Sequence, residues 1–177
     1  MYEKESSLVV HPIPPLYDHQ SSILILGSFP SVKSRETAFF YGHPQNRFWK
    51  VLSMLLKEPF PETIPERRAL LLRRHIAVWD VIASCEIRGS SDASIRNVTP
   101  NDLLVILKAA PIRQIFTNGQ TAGRLYRKYQ EKMLKQNEGE LPCPPASITL
   151  PSTSPANAAW NLDRLAEAWK VILLPLQ

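Results

Sequence analysis

The sequence is poor in cysteine and lacks any long apolar run, and each absence narrows what the chain does. Only Cys85 and Cys143 carry thiols, and they lie far apart with no C-x-x-C pair. That excludes four-cysteine zinc and iron–sulfur sites. Two free thiols suit a reducing compartment, with one disulfide between them left open. The N-terminus, Met1-Tyr2-Glu3-Lys4-Glu5-Ser6, is charged and has no apolar stretch behind it, so no secretory leader is expected. No apolar run approaches the length of a bilayer span. A soluble, cytoplasmic protein is the resulting expectation. The chain also has no repeats and no low-complexity tract. It carries no G-x-x-x-x-G-K phosphate loop, no Ser-His-Asp signature and no metal-ligand spacing. Neither a cofactor nor a metal is expected, and a small-molecule α/β enzyme is disfavoured.

What is present suits one ordinary domain spanning residues 1–177 of the 177-residue chain. The hydrophobic fraction of 44% suffices for a core without staples. A formal net charge of +5 favours a polyanionic partner without proving one.

Residues 1–20 contain three prolines and no helical period, and read as an extended arm leading into the fold. Ser22-Ile23-Leu24-Ile25-Leu26, ending at Gly27, has the pattern of a strand buried on both faces. A loop follows. His43-Pro44 is expected to open a helix carrying Phe48, Trp49, Val51, Leu52, Leu55 and Leu56, because proline suits a first helical turn; Pro59 ends it. A second helix is predicted from Pro65 to Arg74, and a second buried strand over 76–82. A helix over 101–109, a strand over 112–117, a basic helix from Gln120 to about Lys135, a strand over 147–150 and an amphipathic helix over 158–174 complete the pattern. Residues 136–146 read as a polar surface loop. Alternating strands and helices predict an α/β fold, a three-layer α/β/α sandwich around a mainly parallel four-stranded sheet. Ligands of such folds bind at the carboxyl ends of the strands. Those ends are Gly27–Ser31, Asp80–Asp92, Thr117–Gly119 and Pro151–Asn157, where Gly, Ser, Thr, Asn and Pro concentrate.

Two of these segments carry specific wording. Gly27-Ser28-Phe29-Pro30-Ser31 is followed by Tyr41-Gly42-His43-Pro44-Gln45-Asn46-Arg47-Phe48-Trp49, and Leu150-Pro151-Ser152-Thr153-Ser154-Pro155-Ala156-Asn157 lies near the end. Together they resemble the two signature motifs of the uracil-DNA glycosylase superfamily. The G-x-x-P turn and the HPxNRFW segment resemble the mismatch-specific uracil glycosylases, and the full wording is more similar to the hypoxanthine-DNA glycosylase branch. The resemblance runs from about Ser22 to the C-terminus. It implies a monofunctional, monomeric base-excision enzyme that acts on DNA containing deaminated bases, chiefly hypoxanthine. The sequence departs from most of the superfamily at Phe29, where many members place a catalytic Asp or Asn. Near Ser152 many place a histidine. In the hypoxanthine branch the catalytic group is an Asn of the HPxN segment, here Asn46.

The resemblance and the chemistry of base flipping imply these roles together. Asn46 is the candidate catalytic residue, its carboxamide positioning a water against the sugar C1′; the alternative is a capping or surface residue. Tyr41 is the candidate stacking platform for the flipped base, or a core aromatic. Asn118 is the candidate reader of the base edge, or a left-handed turn residue before Gly119. Gly27, Ser28 and Phe29 complete the base-binding set. Ser152, Thr153 and Ser154 are candidate phosphate contacts, and Pro155-Ala156-Asn157 the wedge that fills the vacated stack; an ordinary Ser/Pro turn is the alternative. His43 reads as a hydrogen-bonded structural group rather than an acid or base. Arg124, Arg127, Lys128, Lys132 and Lys135 form either a DNA-facing surface or a solvated helix face. Two functional alternatives stay open. One is a glycosylase specific for uracil or mismatches. The other is a catalytically weak or inactive DNA-binding protein of the same fold.

Overall fold

A computed structural model describes residues 5–177. In chain order the elements are β1 (Ser7–Val10), β2 (Ile23–Gly27), α1 (Val32–Thr37), α2 (Phe48–Leu56), α3 (Ile64–Arg73), β3 (Ile76–Asp80), β4 (Ile82–Ile87), β5 (Arg96–Pro100), α4 (Leu104–Leu107), β6 (Gln114–Asn118), α5 (Gln120–Tyr126), α6 (Lys132–Gln136), β7 (Ile148–Leu150) and α7 (Leu162–Trp169).

The run ILILG becomes the central strand because its alternate side chains each have an apolar layer to enter. Ile23 and Ile25 join a core with Trp49, Leu52, Leu70 and Trp169 from α2, α3 and α7. Leu24 and Leu26 join another with Ile106, Leu125, Tyr126 and Leu134 from α4, α5 and α6. Each fully buried Leu or Ile contributes about 1.5–3 kcal/mol, so a strand with apolar residues at every position is held most stably between two helical layers. The sheet is four-stranded and parallel, in the order β3-β2-β6-β7. The fold is thus the expected α/β architecture with helices on both faces.

Several boundaries depart from the sequence pattern. The run over 76–82 is two strands. The chain breaks at Val81, whose N–H donates to the Gly27 carbonyl and whose own carbonyl accepts from Asn101 N–H. It then enters a second, antiparallel sheet, β1-β4-β5. Hydropathy alone does not show this, because apolar residues resume directly after Asp80 within the run 76–82. The N-terminal arm belongs to the same device. β1 pairs with β4, Leu16 bridges Val78, and Ile13 and Leu16 are buried. Met1 to Lys4 lie outside the described residues. The expected loop after Gly27 holds α1, capped by the Ser31 side chain. The helix expected over 101–109 is only Leu104–Leu107, since β5 occupies the chain up to Pro100. The closing helix starts at Leu162, where Asn161 caps it, and ends in a tight turn over Lys170–Leu173. The basic helix is interrupted by a π-helical turn, Arg127–Glu131, between α5 and α6. Cys85 and Cys143 are buried and free.

The most consequential departure is at α2. Proline 44 lies in a turn, and the helix begins only at Phe48. Asn46 is therefore not in the first helical turn. Its Oδ1 accepts the Phe48 N–H at 2.9 Å, a local Asn-to-backbone bond that competes with helix. It holds the chain in a turn until the apolar face of α2 docks.

Candidate active site

The carboxyl ends of the parallel strands open into a cavity of about 310 Å3. Its wall includes Gly27, Ser28, Phe29, Tyr41, Asn46, Asn118, Ser152, Thr153, Ser154, Pro155 and Ala156, together with His43, Asp80 and Asp92. Of the candidate catalytic, base-binding, phosphate-contacting and wedge residues, all but Asn157 are in this wall; the candidate basic residues between Arg124 and Lys135 are not. Asn157 is spent internally, its Nδ2 donating to the Ser152 carbonyl at 3.0 Å.

Buried Thr153 organises one side. Its backbone N–H donates to Asn118 Oδ1 at 3.0 Å, and Asn118 Nδ2 donates to Thr153 Oγ1 at 3.0 Å. A backbone N–H only donates, so the oxygen of the amide faces it and the amide orientation follows. Thr153 Oγ1 in turn donates to Asn46 Oδ1 at 2.9 Å. With the Phe48 N–H also bound there, both lone pairs of Asn46 Oδ1 are occupied. What Asn46 offers the cavity is its Nδ2, a donor. Asn118 is still in strand, paired with Leu150. The left-handed residue of the turn is Gly119 at φ 99°, so Asn118 is not the turn residue.

Arg47 ties the loop after β7 to the start of α2. Its Nη2 donates to the carbonyls of Ser154 at 2.8 Å and Asn157 at 3.1 Å, its Nε to that of Thr153 at 3.4 Å, and its Nη1 to that of Trp160. Within the loop, Ser152 Oγ accepts from Ser154 N–H and Ser154 Oγ from Ala156 N–H. Those hydroxyl oxygens therefore shape the loop as well as lining the cavity.

The opposite side is built from Tyr41 and Asp80. Tyr41 adopts a left-handed backbone at φ 51° and stacks on Phe48 with ring centroids 3.9 Å apart. Its hydroxyl is buried with no hydrogen-bond partner among the described residues. Burial raises the phenol pKa above its ordinary value, the Asp80 charge adds to that, and the Asn118 amide opposes it. Asp80 ends β3 opposite Gly27 in the register and is buried; the side chain of half-buried His11 reaches it, Nε2 lying 2.6 Å from Asp80 Oδ2. A β-carbon on Gly27 would sit 2.3 Å from Asp80 Oδ1, so this close approach requires glycine. Phe29 is buried and meets His11 edge-on at 5.8 Å. At the rim, Ser28 Oγ donates to Asp92 Oδ1 at 3.1 Å. Desolvation raises the Asp92 pKa, against the Ser28 bond and the Arg124 charge. His43 Nδ1 accepts the Gln45 N–H at 3.1 Å, the structural use expected for it.

Asp80, His11 and Arg47 are the residues that sequence reasoning left without a role. An acid inside an otherwise apolar run and an arginine within the HPxNRFW segment were visible signals for two of them. His11, in a proline-rich arm 69 positions from its partner, carried none. The basic residues Arg124, Arg127, Lys128, Lys132 and Lys135 are all exposed, with Lys135 paired to Glu131 at 2.8 Å.

Fold and site together define an α/β protein with a ligand cavity at the carboxyl ends of a parallel sheet, walled by amides, hydroxyls and aromatic rings. The model of the uracil DNA glycosylase superfamily matches residues 14–173, and the chain belongs to that superfamily. It is 29% identical over 167 residues to a hypoxanthine DNA glycosylase of Methanosarcina acetivorans, covering 93% of this chain and 98% of that one. It is 31% identical over 133 residues to the protein of the same name from Methanosarcina barkeri, covering 71% and 84%. A solution NMR structure from Methanosarcina acetivorans, described provisionally as a uracil DNA glycosylase, superposes with a TM-score of 0.73 at 29% identity, covering 96% of this chain and 99% of that one. Among the described residues no helix is long and apolar enough to cross a membrane.

Proposed function

We propose that the protein is a monofunctional DNA glycosylase that flips deaminated bases into this cavity and hydrolyses their N-glycosidic bond, with hypoxanthine as chief substrate and uracil as a weaker one. It works as a monomer in the cytoplasm, without a cofactor. The observation that carries the reading is the Asn118 amide, oriented by two bonds to Thr153. Those bonds take the amide's paired edge, which leaves one N–H to donate towards a base oxygen. Hypoxanthine, with O6 and N1–H, and uracil, with O4 and N3–H, both match. Adenine reverses the pattern, and each mismatched buried polar group costs about 1–3 kcal/mol. Tyr41 supplies the stacking ring, a contact typically worth about 1–3 kcal/mol. Asn46 orients the attacking water or the sugar through its free Nδ2. The loop around Ser152–Ala156 contacts phosphate and fills the vacated stack, while the exposed basic surface makes DNA affinity fall as salt is raised.

The test is single-turnover cleavage of inosine, uracil, xanthine, thymine-mismatch and normal adenine duplexes, with alkali to break abasic sites. Inosine is cut, uracil more slowly, and adenine is refused. Asn46→Ala lowers the chemical step far more than DNA binding, and Asn118→Ala weakens inosine cleavage together with discrimination against adenine. Tight binding with no abasic product from any duplex would make the protein a DNA-binding member of the superfamily instead.

A further inference from the structure

The geometry points to Asp80 as the carboxylate that takes the proton of the attacking water, with His11 of the N-terminal arm as its positioning residue. This rests on the glycosylase reading above.

Asp80 and His11 have side chains only 6% and 3% exposed, yet Asp80 lines the cavity. The proton positions follow from the bonding. Ile13 N–H donates to His11 Nδ1 at 3.1 Å, so that nitrogen carries the lone pair and Nε2 carries the hydrogen. A neutral imidazole therefore donates to Asp80 Oδ2. Among the described residues no hydrogen bond reaches Oδ1, which overhangs Gly27. A buried carboxylate with a single neutral donor is costly, and an apolar residue ending β3 would satisfy the fold without that cost.

The other polar groups of the wall do not fill the role. Asn46 Oδ1 has both lone pairs engaged, and amides are not bases. The His43 lone pair holds the Gln45 N–H. The Tyr41 phenol is kept neutral by burial. Asp92 stands at the rim with one oxygen held by Ser28. Strand order adds direction, because Asp80 and Asn118 stand at the ends of β3 and β6 on either side of β2. Strands lie about 4.8 Å apart, so the Cα atoms of Asp80 and Asn118 stand roughly 10 Å apart across Gly27. A base read at one edge by Asn118 then has its opposite, glycosidic end on the Asp80 side.

In the step, the C1′–N bond breaks with its electron pair leaving on the base, and the water oxygen bonds to C1′. The water proton passes to Asp80 Oδ1. The base anion takes a proton from solvent, and Asp80 later returns its own to solvent, so the net change is hydrolysis.

The experiment measures single-turnover rate and affinity on inosine DNA, with thermal melting, for the full chain. Asp80→Asn keeps an oxygen to accept the His11 hydrogen, and is expected to slow the chemical step about 100-fold or more with DNA affinity unchanged. Asp80→Ala is expected to regain rate as formate is added and not with chloride at the same ionic strength, a response that a purely structural role does not produce. His11→Asn slows the step less, and adds nothing to Asp80→Asn in the double variant, because it acts through the carboxylate. An Asp80→Asn rate close to wild type, or Asp80→Ala unmoved by formate, overturns the proposal. Should Asp80→Asn fail to fold, an unimpaired chemical step in His11→Asn overturns it as well. Wild-type protein inert on inosine DNA sinks the glycosylase reading and this proposal together, whereas an active wild type beside an equally active Asp80→Asn sinks only the latter.

Discussion

The wall of the cavity made by Asn46, Asn118 and Thr153 and the wall made by Asp80 and Tyr41 face the same space but are built on different terms. In the first, buried Thr153 links two amides and a helix start through four hydrogen bonds, and Arg47 clamps the loop that carries it. In the second, the Tyr41 hydroxyl is buried without a partner and one oxygen of Asp80 is unclaimed among the described residues. Buried polar groups are almost always paired in native proteins. A wall whose amides are held in place beside one whose polar atoms are unclaimed therefore separates the pre-oriented side of the cavity from the side with unmet hydrogen-bonding groups. Stability is expected to fall when the first is cut and to be indifferent, or to rise, when the second is trimmed.

Arg47→Ala is the largest break. It removes a cation from four carbonyls of one loop. Hydrogen bonds to charged groups contribute about 1.5–3 kcal/mol each and are not additive, so a loss of about 3 kcal/mol is expected. For a chain of this size that lowers the thermal midpoint by roughly 10 °C, together with loss of DNA cleavage. A melting curve within a degree or two of wild type would show that the loop holds itself.

Thr153→Val comes next. The isosteric change leaves Asn118 Nδ2 and Asn46 Oδ1 each short of a partner, at a cost of about 1–3 kcal/mol in denaturant unfolding. Because Asn118 is then oriented by one bond instead of two, discrimination between inosine and adenine narrows in the same protein. Lost stability with intact selectivity would confine Thr153 to the fold.

Tyr41→Phe has the smallest expected effect and the opposite sign. Removing a partnerless buried hydroxyl is expected to leave stability unchanged or raise it by up to about 1 kcal/mol, while the stacking ring on Phe48 is kept. Clear destabilisation would mean that the hydroxyl is paired in solution and that the two walls are alike.

Much of this site was legible before any coordinates, and for a physical reason. Parallel strands buried on both faces are written as unbroken apolar runs, and ligand sites gather at their carboxyl ends. The segments holding Gly27, Ser28, Phe29, Asn118 and the loop 152–156 could therefore be located from β2, β6 and β7 alone, with the role of Asn118 resting on the resemblance. Tyr41 and Asn46 came from motif resemblance. The sequence does not fix the local structure around Asn46, because a proline fits a turn as well as a helix start and the deciding bond, from Phe48 N–H to Asn46 Oδ1, is a matter of geometry.

By itself the sequence determined the α/β layering, the strand ends that bear the site and the residue types gathered there, because periodicity and punctuation are local. Tertiary structure alone decided which of those residues are wired and which are left open. The division of 76–87 between two sheets, the pairing of β1 with β4, and the meeting of His11 with Asp80 all join segments distant in sequence. Such contacts depend on how layers pack, and no residue's own propensity encodes its partner across the fold.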